Sequence, residues 1–95
     1  MTDALVYHRV ADYDAWKREY DRVIAGPMAS DLRSHRVWRG QDDRNLVIAS
    51  QSFDSREAAE ALFTSQALRD EMANAGVDMS SVQIEYLDEV DSGML

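Results

Sequence analysis

The sequence predicts an α+β domain in which a four-stranded antiparallel sheet carries its helices on one face. Three features predict it. Four segments alternate apolar and polar residues, three others repeat apolar residues at helical spacing, and one pair of strands is joined by a short run of turn formers.

Residues 4–10 (ALVYHRV) form the first strand. Alternation places Val6, His8 and Val10 on one face and Leu5, Tyr7 and Arg9 on the other. "ADYDAWKREYDRVIAGP" then shifts to a helical period, with Tyr13, Trp16, Tyr20, Val23 and Ile24 on one stripe. Asp12 or Asp14 caps its start, and Gly26-Pro27 stops it. Whether Pro27 opens a further turn through Asp31 is left open by the sequence. Residues 34–40 (SHRVWRG) and 46–53 (LVIASQSF) are the second and third strands, with "QDDRN" closing a hairpin between them.

Asp54, followed three residues later by Glu57, resembles a capping box and opens the helix "SREAAEALFTS", with Ala58, Ala61 and Leu62 inward. Ser65 caps a separate helix, "QALRDEMANA", whose Leu68, Met72 and Ala75 share a face and which Gly76 ends. Residues 82–90 (VQIEYLDEV) alternate as the fourth strand, and residues 90–95 form a loose tail. The order β-α-β-β-α-α-β is that of two split βαβ halves sharing a hairpin, the ferredoxin-like arrangement, with strand order 4-1-3-2. No linker, repeat or low-complexity tract interrupts it, so residues 1–95 are expected to form one domain.

Ten basic against eighteen acidic residues leave a net charge of −8, which disfavours nucleic acid as a partner. No apolar run approaches membrane-spanning length and no signal-peptide pattern opens the chain, so neither a membrane nor secretion is expected. With no cysteine, a disulfide framework and a thiolate metal site are excluded, in keeping with a cytoplasmic protein. The second face of the sheet is apolar: Leu5, Tyr7, Trp38, Leu46 and Ile48 all fall on it. Such a face needs cover, and its simplest cover is a copy of itself in a homodimer.

"VADYDAWKREYD" at the first helix, "VWRGQDD" into the hairpin and "SFDSREAAEALFTSQALRDEMANAGV" through the later helices resemble the dimeric α/β-barrel superfamily. Within it, they are similar to small cyclase-like and antibiotic biosynthesis monooxygenase-like proteins. The resemblance runs from Val6 to Val90. It implies sheets packed face to face in a dimer and a ligand cavity inside each subunit, between sheet and helices.

Pairing Gly40 with Leu46 sets His35 opposite Gln51, Val37 opposite Ala49 and Arg39 opposite Val47. The helix-covered face then carries His35, Val37, Ala49 and Gln51, with His8 on the neighbouring first strand. A neutral imidazole takes a proton from an acidic C–H or a phenol, so His8 is the candidate base and His35 a second. Gln51 is a candidate to hydrogen-bond a developing enolate oxygen. Trp16, Tyr20 and Met72, with Val37 and Ala49, form a wall suited to a flat apolar or aromatic ring. Each has a plainer role open to it: His8 as a hydrogen-bonded core residue, His35 as an exposed one, and the aromatic stripe as core.

No His-x-x-x-His pair, glycine-rich phosphate loop or Gly-x-Ser-x-Gly elbow is present, so no metal and no cofactor is expected. Acid–base chemistry remains. The leading expectation is a cofactor-independent cyclase or isomerase acting on a small aromatic or polyketide-like metabolite. Its rivals are cofactor-free monooxygenation of a phenolic substrate and a non-catalytic ligand-binding dimer.

Overall fold

A computed structural model describes residues 1–95. Strand β1 (Thr2–Val10) is followed by helix α1 (Tyr13–Ile24) and a single 3-10 turn over Pro27–Ala29. Strands β2 (Leu32–Arg39) and β3 (Leu46–Phe53), helices α2 (Arg56–Phe63) and α3 (Gln66–Asn74), and strand β4 (Val77–Leu87) complete the chain. The strands form one antiparallel sheet in the order β2-β3-β1-β4, as the split βαβ reading requires.

Local chemistry sets the helix boundaries. Asp12 Oδ1 accepts from the backbone N–H of Asp14 (3.0 Å) and caps α1. Pro27 opens the 3-10 turn, where its missing N–H costs nothing. Ser55 caps α2 by accepting from Ala58 N–H at 3.2 Å, and Ser65 caps α3 by accepting from Leu68 N–H at 3.2 Å. The cap of α2 thus lies one residue beyond Asp54, whose carboxylate pairs instead with Arg33. Ala61, expected inward, is exposed, and α2 buries Ala59 and Phe63.

The sheet register fixes which side chains face the helices. His35 pairs with Gln51, Val37 with Ala49 and Arg39 with Val47, as the hairpin requires. On β1, His8 lies opposite Val47, Val6 opposite Ala49 and Ala4 opposite Gln51. Strand β4 starts at Val77, five residues earlier than the alternation in 82–90 suggests, and ends at Leu87. Gly76, with φ +85°, ends α3 in the left-handed region and turns the chain directly into pairing with Val10.

A bulge then interrupts β4. Tyr7 pairs with Gln83 but Arg9 with Asp78, so the chain from Met79 to Val82 loops out and His8 has no partner on β4. Polar side chains satisfy the bulge: Ser81 Oγ accepts from Arg9 N–H at 2.9 Å, and Asp78 Oδ1 accepts from Ser80 N–H at 3.1 Å. The run "DMSS" therefore looks like a loop by composition and is part of a strand by pairing.

The buried apolar residues form two clusters under the helices. One joins Ala4, Val6, Phe53, Ala59 and Phe63. The other joins Val10, Trp16, Val47, Ala75 and Val77, with Tyr13, Tyr20, Val37 and Met72 packed against it. On the opposite face of the sheet, Trp38 and Tyr7 flank Ile48 in one cross-strand row. Trp38 is 47% exposed, far more than a packed tryptophan.

Candidate active site

Between the two clusters the helices stand off the sheet and leave a small, partly open apolar cleft of about 70 Å³. Val6, Ala49, His8 and Gln51 form its floor on the sheet, Trp16 and Tyr20 one wall from α1, and Leu68 and Met72 the other from α3.

His8 and Gln51 are the two polar residues among the buried side chains, at 3% and 7% exposure. Neither is fully satisfied: His8 Nδ1 and Gln51 Oε1 are buried with no hydrogen-bond partner. A buried polar atom without a partner costs about 1–3 kcal/mol, and both residues line the cleft. Burial pushes the His8 imidazole from 6.5 down to about 4, with the Val6 backbone opposing it more weakly. His8 is therefore neutral across the physiological range. Its ring lies against Trp16, with centroids 5.3 Å apart.

At the other end of the cleft, the Tyr20 hydroxyl is a junction. Gln51 Nε2 donates to it at 3.2 Å, and His35 Nδ1 lies 3.2 Å from it on the outer side. Burial raises the Tyr20 pKa, opposed by the Gln51 hydrogen bond and reinforced by the charge of Asp21, so Tyr20 is a phenol at neutral pH. Tyr20 also stacks on Trp16 (4.8 Å, 26°), so one line of rings runs His8–Trp16–Tyr20–His35.

Six of the side chains singled out in the sequence line the cleft: His8, Trp16, Tyr20, Ala49, Gln51 and Met72. Val37 does not; it packs into the cluster around Trp16. His35 is exposed and reaches the cleft only through Tyr20. The three polar candidates also do not converge on one point. His8 sits opposite Val47 and Gln51 opposite Ala4, a separation of four residues along the strands, or about 13 Å at ~3.3 Å per residue. His8 thus marks one end of the cleft and the Gln51–Tyr20–His35 group the other.

One N–H of Gln51 goes to Tyr20, the amide group keeps a second, and its carbonyl oxygen is buried without a partner.

Glu19 and Glu71 line the cleft and carry no periodic signal that would have marked them. Arg22 of α1 pairs with both, reaching Glu19 at 3.0 Å and crossing to Glu71 on α3. Arg39, a conceivable partner for a ligand carboxylate, lies instead over the Tyr13 ring at 4.2 Å. No three His, Asp or Glu side chains gather as a metal-ligand group.

This architecture is the ferredoxin-like α+β fold of antibiotic biosynthesis monooxygenases. One solved structure so described aligns with 96% of this chain and 100% of its own at TM-score 0.69 and 10% identity. SnoaB, a cofactor-independent oxygenase from Streptomyces nogalater, aligns over 96% of this chain and 94% of its own at TM-score 0.75 and 10% identity. Rv0793 from Mycobacterium tuberculosis covers 99% of this chain and 100% of its own, at TM-score 0.64 and 16% identity. No family model matches the chain, and no curated protein sequence does. At these identities the likeness establishes the fold.

The buried neutral histidine makes a pH prediction. Its pKa is lower folded, at about 4, than its ordinary 6.5, so the folded state binds fewer protons in that window. The stabilisation is fully present above about pH 6.5 and is lost as pH falls through 4, by about 3 kcal/mol. Chemical denaturation of wild type and His8→Gln from pH 7 to 4 isolates this from the carboxylates common to both. Wild type is expected to lose the larger amount; parallel losses would show that the imidazole is not held neutral by burial.

Proposed function

We propose that this protein is a cofactor-independent monooxygenase of a neutral hydroxyaromatic compound. The carrying observation is His8: a buried, neutral imidazole with an unpartnered nitrogen at the floor of an apolar cleft walled by stacked aromatic rings. The fold shared with SnoaB, described as a cofactor-independent oxygenase, favours oxygenation over the ring-closing cyclisation expected from the sequence.

The chemistry follows from the substrate class. A methylene carbon between two rings, as in an anthrone, is acidic because the resulting anion spreads onto the opposite carbonyl oxygen, which becomes phenolate-like. His8 takes the proton, and the electron-rich anion then reduces dioxygen directly. The carbon loses two hydrogens and gains one oxygen atom as a ketone, and the second oxygen atom leaves as water. All the electrons that reduce dioxygen come from that carbon. An imidazole held near 4 is a weak base in the empty cleft, but the anion it creates in that low-dielectric space pairs with the imidazolium and strengthens it. Trp16 and Tyr20 on one side and Met72 on the other hold the ring and exclude water from the anion.

We further propose that the working unit is a homodimer closed through the outer sheet face. Tyr7, Ile48 and Trp38 form its central row, with Leu5 and Leu46 beside them. A stable interface of this kind buries more than ~1,000 Å² in total. Sedimentation of wild type should give a dimer at micromolar concentration, and Trp38→Glu should give monomer or insoluble protein. A stable wild-type monomer contradicts the dimer.

Oxygen uptake with anthrone tests the reaction. Wild type should consume dioxygen and release the corresponding quinone, with activity falling as pH drops towards 4. His8→Gln should fold and lose roughly 10²–10⁴-fold in turnover, since an amide does not accept the proton. Turnover by His8→Gln at the wild-type rate would remove His8 from the reaction. Conversion of a trial polyketide without oxygen uptake would return the cleft to cyclisation.

A further inference from the structure

The outer face of the sheet carries two charged side chains that find no partner within the subunit. The register places Arg36, Ser50, Leu5 and Glu85 in one cross-strand row, one residue from each strand. Arg36 stands on β2 at one edge of the sheet and Glu85 on β4 at the other, and both are exposed. Three strand spacings separate them, about 14 Å at ~4.8 Å each. The other charges on this face are engaged locally. Asp3 accepts from the Ser52 hydroxyl, Arg9 pairs with Asp43, and Asp78 accepts from Ser80. Strand β2 (LRSHRVWR) contains no acid and β4 (VDMSSVQIEYL) contains no base.

An apolar face with opposite charges at its two edges is complementary to itself in one orientation. Two sheets stacked with their strands roughly aligned are related by a two-fold axis that runs along the strands or across them. An axis along the strands keeps each row level and reverses the strand order. Strand β2 then lies over the partner's β4, and Arg36 faces the partner's Glu85 at both edges. In the next row, Ile48 faces the partner's Tyr7, which closes the apolar centre. An axis across the strands instead lays β2 over the partner's β2 and β4 over its β4. Neither Arg36 nor Glu85 then meets an opposite charge on the strand facing it.

We infer that two copies of this chain stack their outer faces about an axis along the strands, with Arg36 of each over the partner's Glu85. The inference rests on the sheet-face dimer proposed above and adds its orientation and its charged edges. Each copy carries a net charge of −8, so the copies repel at long range. Two opposite-charge contacts at the edges fix the register against that repulsion. The two-fold doubles every effect, because one substitution changes both edges at once.

Charge reversal tests the pairing. Arg36→Glu and Glu85→Arg should each weaken dimerisation at least about tenfold in sedimentation, since each sets like charges face to face twice. Arg36→Glu/Glu85→Arg keeps the wild-type net charge and should restore the wild-type dissociation constant, with the opposite charges exchanged. Either single variant dissociating like wild type, or a double variant as weak as the singles, overturns the pairing and leaves the sheet-face dimer standing. A wild-type monomer removes both. The chain has no cysteine, which allows a second measurement. A short bis-maleimide should join Arg36→Cys to Glu85→Cys in a mixture of the two preparations and should join neither preparation to itself. A covalent dimer formed by Arg36→Cys alone would place β2 over β2 and overturn the orientation.

Discussion

The structure depends on one constraint: the inner face of the sheet carries two polar residues where an ordinary core would be apolar throughout. His8 and Gln51 are as buried as their neighbours, yet each keeps an atom without a hydrogen-bond partner. Those dry atoms carry a desolvation cost that a hydrogen-bonding partner would relieve. The apolar contacts instead gather at the two ends of the sheet, around Phe53 and Phe63 in one cluster and around Trp16 and Val47 in the other. The cleft is the space that remains between them. Its two polar ends, one basic and one amide, follow from the positions these residues hold on β1 and β3.

The features that hold this space open are local and separate. The β4 bulge removes the pairing partner of His8 on that side, and bulges of this kind re-aim side chains next to sites. The ring stack from His8 through Trp16 to Tyr20 joins strand to helix across the cleft. Arg22, bridging Glu19 and Glu71, ties α1 to α3 at its margin and balances one of the two carboxylates there. A ring carrying a full negative charge meets no unpaired cation among the lining residues, which agrees with entry of a neutral hydroxyaromatic.

Much of this was legible in the sequence because period and register are strongly determined. Alternation in "LVYHRV" put His8 inward, and the hairpin set His35 against Gln51 and Val37 against Ala49. What was not legible depended on chemistry that periodicity does not carry. The start of β4 hides behind "DMSS", whose serines and aspartate satisfy a bulge and so imitate a loop. Asp54 fits a capping pattern, yet Arg33 claims its carboxylate and leaves the cap to Ser55. The separation of His8 from Gln51 needs the β1–β3 register, which strand adjacency alone does not give. The role of Tyr20 as a junction needs three-dimensional contact between residues 31 positions apart for Gln51 and 15 for His35.

The central claim is that a flat ring lies in this cleft with His8 at one end and Gln51 at the other. Intermolecular nuclear Overhauser effects from anthrone, recorded under anaerobic conditions, test it most directly. The account predicts contacts from the bound ring to the Trp16 indole, the His8 imidazole and the Gln51 side-chain amide in the same complex. Contacts confined to Tyr7, Ile48 and Trp38 on the outer sheet face, or none at all, would contradict it.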